Sequence, residues 1–338
     1  MDEVRDSALQ NFKFRNLHPN IFLGTASDRY AGWVGQVYSE NRYEKSITRR
    51  VKKVGGRTFT EEVLPVESVR EYFQHFRILE LDFTFYRPLI DSEGKPTQNF
   101  HLLRLYRKYV NNEDRLLLKV PQIIFAKKLF RNNAYIDNDT YLNPEIFNRQ
   151  FYEPAVEILG PCLHGFVFEQ EYQKKQDRIS PEKQAEELDT FFSSVPDDSR
   201  YHLEFRTESL LSEPVFEVLE RYGVGQILSH WTWLPSLSRQ FSLSGRRFLN
   251  RSGCCVIRLM TPRGIRYEDA YARAHPFNAL VDGMLNTEMI QDTAALMCSA
   301  INQGIQISVI VNNRSGGNAP LIVQKITRLF LDMIPHQA

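Results

Sequence analysis

The sequence contains few cysteines, the residues that form disulfides and many metal sites. It has four in 338 residues. The cysteines show none of the spacings typical of zinc or iron–sulfur sites. Cys254 and Cys255 are adjacent in a predicted strand, so their side chains point to opposite faces. We interpret all four cysteines as reduced hydrophobic residues, and we predict no metal site.

Long hydrophobic runs and an excess of one charge are also absent. No apolar run approaches the roughly 20 residues that a transmembrane helix needs. The charged beginning of the sequence, MDEVRDSALQNFKFRNLHPN, lacks the apolar core of a signal peptide. The 42 Lys and Arg residues balance 41 Asp and Glu residues, so net charge favours no particular partner. We expect a cytoplasmic protein with no membrane partner; the sequence does not predict its oligomeric state.

Several catalytic and cofactor motifs are missing. No serine lies in a Gly-x-Ser-x-Gly elbow, and no cysteine has a histidine placed to activate it. No glycine fingerprint of a dinucleotide-binding sheet follows the first predicted strand. These absences argue against a serine or cysteine hydrolase, and no cofactor is identified.

The sequence does have a regular series of short apolar runs, most of them apolar on both faces, as parallel strands covered by helices are. Turn signals and helical patterns separate them, with Ser180 and Asn318 as predicted N-caps and Gly223 as a helix stop. This alternation predicts an α/β fold, a (β/α)8 TIM barrel formed by residues 1–338 as a single domain. An open doubly wound sheet is the alternative. The eight runs are residues 21–25, 77–83, 115–121, 162–169, 201–206, 224–229, 254–260 and 307–313.

Two insertions interrupt the alternation. Residues 41–62 follow the first strand and contain KVGGRT, which is typical of a hairpin turn. We predict a basic hairpin-like insertion, whose charge run is more typical of a solvated face than of a nucleic-acid contact. Residues 122–160 form a long connection after the third strand. The seven basic residues of the first insertion are Arg42, Lys45, Arg49, Arg50, Lys52, Lys53 and Arg57.

Charged residues alternate with apolar residues near the carboxyl ends of four predicted strands. Because side chains alternate between the two faces of a strand, we expect the apolar neighbours to pack against helices. The charged side chains then point into the barrel near its C-terminal mouth, where the sites of TIM barrels are built. They are Glu80, Lys119, Glu204, Arg206 and Arg258.

Buried charges require partners, which leaves two interpretations. The five side chains either pair among themselves as a structural ring or leave positive charge for an anionic ligand. We favour the ligand, with Glu80 or Glu204 as general acid or base. Lys119, Arg206 and Arg258 would then stabilise charge.

The loop after the eighth run, NNRSGGN at residues 312–318, supports a ligand at the same end. Loops after the last strands of TIM barrels commonly bind phosphate through backbone amides and a helix N-terminus. The glycines allow such amides to approach an anion closely. We predict an anion cradle that includes Asn312, Asn313, Gly316 and Gly317. The alternative is a plain turn with a capped helix.

Motifs along nearly the whole chain resemble those of the YecE-like family, a group of uncharacterised TIM-barrel proteins. In GTASDRYAGWVGQVY the matching residues are Gly24, Thr25, Trp33, Gly35 and Tyr38. In LELDFTFYRP they are Glu80, Thr84, Phe85 and Tyr86. Later matches are Lys119, Glu204, Arg206, Arg258, Asn312, Asn313, Gly316, Gly317, Ala319 and Pro320. The resemblance implies the barrel fold and no established activity.

The first two motifs also supply the predicted ligand contacts Thr25, Trp33 and Tyr86. The rings of Trp33 and Tyr86 would stack on a sugar or base; core or rim packing is the alternative. The sequence departs from the family pattern at several positions. Asp82 replaces an asparagine, and residues 260–261 replace a His-Gly pair. Residues capable of acid–base chemistry are thus missing, and we expect a shifted or reduced activity.

The leading hypothesis is a protein that binds a small phosphorylated or otherwise anionic ligand at the mouth, with hydrolase or isomerase chemistry. One alternative is a nucleic-acid-binding barrel resembling barrel endonucleases, in which the basic hairpin and the arginines of residues 238–253 contact phosphates. A non-catalytic barrel is the other alternative, so whether the protein is an enzyme stays open. Nucleic-acid binding would weaken steeply with salt, whereas binding in the mouth would not.

Overall fold

Eight parallel strands form a closed barrel in the computed structural model, which describes residues 7, 9–131 and 134–334. The strands of the described chain are β1 (Ile21–Ala26), β2 (Thr48–Val54), β3 (Arg57–Val63), β4 (Ile78–Leu81), β5 (Arg115–Lys119), β6 (Lys128–Arg131), β7 (Ala134–Asp137), β8 (Leu163–Glu169), β9 (Tyr201–Glu204), β10 (Gly225–His230), β11 (Cys254–Leu259) and β12 (Gln306–Val311). Hydrogen-bonded neighbours follow the order β1-β12-β11-β10-β9-β8-β5-β4 around the barrel.

The barrel confirms the predicted fold class, and each of the eight predicted runs overlaps one barrel strand. Several runs extend beyond their strands at the carboxyl end. The run 201–206 ends as a strand at Glu204, and the run 307–313 ends at Val311. Beyond these ends the backbone leaves the ladder, at Phe205 and Arg206 in one case and at Asn312 and Asn313 in the other.

Helices connect the strands and begin and end where local sequence signals predict. The Oγ of Ser180 accepts the N–H of Lys183, and the Oδ1 of Asn318 accepts the N–H of Leu321. Gly223 ends its helix in the left-handed conformation with φ 66°. In the described parts of the chain, no helix combines the length and the apolar character of a membrane span. The α-helices are Val69–His75, Gln98–Tyr109, Gln122–Phe125, Pro144–Phe147, Glu153–Leu159, Pro181–Phe192, Glu213–Tyr222, Leu237–Leu243, Tyr267–Ala274, Thr287–Asn302 and Ala319–Met333.

Both insertions contain an antiparallel hairpin. The predicted one pairs β2 with β3, from Thr48 opposite Val63 to Val54 opposite Arg57. The connection 122–160 contains a second hairpin, β6 with β7, which the sequence analysis did not predict. A π-helical turn, Asn148–Tyr152, follows in the same connection.

One face of the basic hairpin packs against an apolar cluster. Val54 is buried in an apolar cluster with Tyr271. Glu61 is buried beside it and pairs with Arg50 at 2.6 Å and Lys52 at 3.3 Å. Burial opposes ionisation, but the Tyr271 hydroxyl and the two cations hold the pKa of Glu61 below its usual value. The hairpin thus neutralises part of its own positive charge, and nucleic-acid binding stays a prediction.

The described chain divides into two compact units. We call Met1–Leu79, Ser229–Ser238 and Ile257–Ala338 the first unit, and Glu80–Leu228 and Arg239–Val256 the second unit. The second unit has an aromatic core in which the rings of Phe147, Phe168 and Tyr201 lie within 6 Å of one another. The prediction of a single domain stays a prediction.

Candidate functional site

Charged side chains gather at the carboxyl ends of neighbouring strands in the second unit. Three of them, on β4, β5 and β9, are the predicted Glu80, Lys119 and Glu204, and all three are buried. Arg206 follows β9 and is 12% exposed, as is Glu169 at the end of β8. We call these five side chains the ion-pair cluster. Their placement agrees with the alternation of side chains along each strand.

The ion-pair cluster is organised around a single carboxylate oxygen. Lys119 Nζ lies 2.7 Å from Glu169 Oε2, and an Arg206 nitrogen lies 2.8 Å from the same atom. The register of β8 and β9 places Glu169 opposite Glu204. Arg206 Nε lies 3.2 Å from Glu204 Oε1, so its guanidinium bridges the two carboxylates.

Electrostatics bind the ion-pair cluster together. Burial lowers the pKa of Arg206, while the charges of Glu169 and Glu80 oppose that shift. A guanidinium nevertheless stays protonated in proteins, so the positive charge depends on its carboxylate partners. Three carboxylates face two cations within this group. Within this group, Glu169 therefore balances the positive charge that the sequence analysis assigned to a ligand.

The motif LELDFTFYRP supports the lysine of the ion-pair cluster. Its residues 83–85 form a 3-10 turn directly after β4. Thr84 Oγ1 donates to the carbonyl oxygen of Lys119 at 2.7 Å. The ring of Phe85 lies under Lys119 Nζ, 4.0 Å from it, in a cation–π contact. Tyr86 is 69% exposed and packs edge-on against Phe85. The motif thus fixes the end of β5 as well as the position of the ammonium group.

A neutral imidazole lies one layer below the ion-pair cluster. His202 precedes Glu204 by two residues in β9 and is fully buried, which lowers its pKa to about 4. The neighbouring strands carry glycines beside it. A Cβ on Gly225 would lie 2.3 Å from His202 Nδ1, and one on Gly165 would lie 3.1 Å from its Cδ2. These two glycines therefore make the space that the imidazole occupies.

In the first unit, the first and last family motifs meet through a side-chain hydrogen bond. Trp33 is buried, and its Nε1 donates to Asn313 Oδ1 at 3.2 Å. Thr25 is also buried; its N–H donates to the hydroxyl of Tyr72, and its Oγ1 donates to the carbonyl of Ser27. Through these contacts the motif residues support the ends of β1 and β12. Ligand contacts of Thr25 and Trp33 stay predictions.

The loop 312–318 uses its backbone amides internally. The carbonyl oxygen of Asn313 accepts the N–H groups of Gly316 at 3.3 Å and Gly317 at 2.7 Å. The Oδ1 of Asn313 accepts the N–H of Ala319, and the Oδ1 of Asn312 accepts that of Arg314. The amides of both glycines therefore have acceptors within the loop itself. Anion binding by this loop stays a prediction.

Close packing, together with a positive φ, explains why residue 317 is a glycine. Its φ is 112°, and a Cβ there would lie 2.3 Å from the carbonyl oxygen of Ala279. Arg258, the remaining predicted residue, is buried in the first unit. Its role in binding stays a prediction.

Comparison with known proteins identifies the family. The model of the family described as "Protein of unknown function DUF72" matches residues 22–333. The chain belongs to this family. The YecE-like resemblance is thereby confirmed, since the two names denote one family. No curated protein matches the DUF72 chain.

Solved structures resemble the DUF72 chain in fold. A DUF72 family protein from Thermotoga maritima has a TM-score of 0.55 and 16% identity, over 92% of this chain and 99% of that one. A DUF72 family protein from Enterococcus faecalis has a TM-score of 0.55 and 15% identity, over 94% and 99% of the two chains. At these identities the likeness shows the barrel fold alone.

Glu169 is the member of the ion-pair cluster that the sequence analysis did not assign to the site of this DUF72 chain. Alternation along LHGFVFE places it at the carboxyl end of β8 on the side opposite Phe168, so the signal was present. In the described residues, no three His, Cys, Asp or Glu side chains are grouped as a metal ion would require.

Proposed function

We propose that this protein binds a small anionic ligand at the carboxyl ends of the strands in its second unit, through Lys119 and Arg206. The observation that carries the proposal is the shared oxygen atom. Both cations approach Glu169 Oε2, at 2.7 and 2.8 Å. Two cations from different strands around one carboxylate oxygen form a donor set that suits a phosphate or carboxylate group.

In this proposal the ligand competes with an internal anion. Glu169 holds the position that an anionic group of the ligand would take, and it yields one or both cations when the ligand binds. Such an exchange keeps the buried cations paired in both states, which limits the cost of their burial. Hydrolase or isomerase chemistry, with Glu80 or Glu204 as acid or base, belongs to the same proposal as its second step.

If Glu169 and the ligand compete for the same cations, Glu169→Gln should raise the affinity for the ligand. Glutamine keeps the shape of the side chain but removes the competing charge. The affinity for inorganic phosphate and for sulfate should therefore rise, by about tenfold or more, because one unit of charge close to the ligand is worth more than about 1.4 kcal/mol. Isothermal titration calorimetry on the full chain measures this change. Arg206→Lys keeps the charge but loses the planar fork, and it should weaken binding.

The matched control is Glu71→Gln. Glu71 is a buried glutamate of the helix Val69–His75 and is paired with Arg42, and both residues belong to the first unit. This control should leave phosphate affinity unchanged. If Glu169→Gln remains folded by circular dichroism and binds phosphate no more tightly than the parent, the exchange is wrong and the ion-pair cluster is structural.

A further inference from the structure

A pair of exposed aromatic rings lies on the hairpin β6–β7 of the second unit. Phe130 and Tyr135 are opposite each other in the register of the two strands, so both side chains stand on the same face. The centres of their rings lie 5.1 Å apart. Phe130 is 60% exposed and Tyr135 is 65% exposed. A contiguous group of exposed aromatic rings, unlike a single one, is typical of an interaction surface.

The segment after β8 borders this pair of rings and adds a third ring together with positive charge. Lys174 Nζ lies 5.6 Å from the centre of the Tyr135 ring, in a cation–π contact. Tyr172 is 37% exposed, and its hydroxyl accepts a hydrogen bond from Arg178 at 3.4 Å. Rings and cations therefore alternate on one surface. We call Phe130, Tyr135, Tyr172, Lys174, Lys175 and Arg178 the aromatic patch.

The cations of the aromatic patch are not neutralised by carboxylates. Lys174, Lys175 and Arg178 are exposed. Among residues 7, 9–131 and 134–334, no Asp or Glu forms an ion pair with any of the three. Asp177, which lies between them in the sequence, pairs instead with Lys128 Nζ of β6 at 2.8 Å, and this contact holds the segment against the hairpin. Three unneutralised cations beside exposed rings favour a partner with negative charge.

We propose that the aromatic patch binds a single-stranded nucleic acid. Bases stack on the rings of Phe130 and Tyr135, and the three cations contact phosphates of the same strand. The strand is single because the bases of a duplex already stack on one another. The aromatic patch shares no residue with the ion-pair cluster, so this inference does not depend on the function proposed above.

The composition of the aromatic patch favours this partner over an apolar one. A protein groove or a lipid surface gains from any apolar side chain, aliphatic or aromatic, because the hydrophobic effect depends on area. Stacking on a base requires the face of a ring. The hairpin β2–β3 of the first unit is also basic, but its exposed large hydrophobic residue is Val51, which offers no ring.

The first test replaces a ring and keeps an apolar side chain. Fluorescence anisotropy measures binding of the full chain to labelled oligothymidylate and oligouridylate of about 15 nucleotides, and these two probes distinguish a DNA from an RNA strand. Tyr135→Leu should weaken binding of the preferred strand by about tenfold, since it removes one stacking ring. Tyr135→Phe keeps the ring and should bind as the parent does. If Tyr135→Leu is folded by circular dichroism and binds as tightly as the parent, the proposal is wrong.

The second test counts phosphate contacts. For a single strand, the logarithm of the binding constant falls with the logarithm of the salt concentration, with a slope of about −0.7 per phosphate contact. Replacing Lys174 and Lys175 together by Gln should reduce the steepness of this slope by about 1.4 between about 50 and 200 mM salt. The matched control replaces Lys45 and Lys53, two exposed lysines of the insertion 41–62, by Gln and should leave the slope unchanged. An equal change in both double variants would mean that only net charge matters, and it would overturn the proposal.

Two further probes separate the remaining alternatives. A duplex of oligothymidylate with oligoadenylate should bind at least about tenfold more weakly than the single strand, because its bases are not free to stack on the rings. Equal affinity for the duplex would refute stacking. Vesicles of phosphatidylserine and phosphatidylcholine test a lipid surface. If the parent and Tyr135→Leu both bind these vesicles and the parent binds neither oligonucleotide, the aromatic patch is a membrane contact and the proposal fails. It fails as well if the parent binds none of the probes.

Discussion

Replacing Arg206 with methionine removes the cation that joins Glu169 to Glu204 and keeps much of the apolar volume of the side chain. The two contacts of Arg206 are 2.8 and 3.2 Å long. At an effective dielectric constant of about 20, opposite charges at these distances attract each other by about 6 and about 5 kcal/mol. The cost of burying the guanidinium offsets a large part of this attraction. We therefore expect a net loss of about 3–5 kcal/mol of unfolding free energy, as when one partner of a buried pair is removed.

The loss of unfolding free energy should depend on pH, and the two carboxylates that remain determine the direction of this dependence. Without Arg206, Glu169 and Glu204 take up protons more readily in the folded variant than in the parent. Protonation relieves the uncompensated charge, so the deficit should shrink as the pH falls from 8 to 5. Urea unfolding of both proteins at several pH values, followed by circular dichroism and by fluorescence, measures this change.

Arg247→Met is the matched control. Arg247 also bridges two carboxylates, Glu213 at 2.7 Å and Glu220 at 2.8 Å, but on the surface. Solvent screening should limit its loss to about 1 kcal/mol or less. If Arg206→Met loses no more than this control, or its loss is the same at pH 5 and pH 8, the ion-pair cluster is not held by buried charge as we argue.

Two further predictions concern the interior of the second unit. Gly225→Ala should destabilise the protein by about 1–3 kcal/mol, because its Cβ would lie 2.3 Å from His202 Nδ1, and His202→Ala in the same chain should recover part of the loss in urea unfolding. Glu171→Gln should become more stable relative to the parent as the pH rises from 4 to 8. Burial raises the pKa of Glu171 in the folded protein, so ionisation of Glu171 above the unfolded value of about 4.3 costs stability. A glutamine avoids this cost. A stability difference that stays constant across that pH range would show that folding does not raise the pKa of Glu171.

The barrel was predictable because each strand carries its own signal. Apolar runs of strand length mark the eight positions, and alternation alone placed Glu80, Lys119 and Glu204 near the carboxyl ends of their strands. The hairpin β6–β7 was missed because every residue of β7 is exposed, so no buried face imposes an alternating pattern on its sequence.

The partners within the candidate site were not predictable in the same way. Lys119 pairs with Glu169, and this contact depends on the register between β5 and β8, which a long insertion separates in the sequence. The amides of the loop 312–318 present a similar difficulty. A run of asparagine and glycine is compatible with an anion site and with a self-contained turn, and the choice depends on whether the carbonyl of Asn313 reaches those amides first.

The oxygen shared by Lys119 and Arg206 has a consequence for how this sequence can evolve. Loss of Glu169 by mutation would leave two buried cations with one fewer counter-charge, so a neutral residue at this position costs less stability after one cation has gone. The reverse order is milder, because Glu169 keeps one partner when either cation is lost. Substitutions at these three positions should therefore accumulate in a preferred order, with the lysine or the arginine changing before the glutamate.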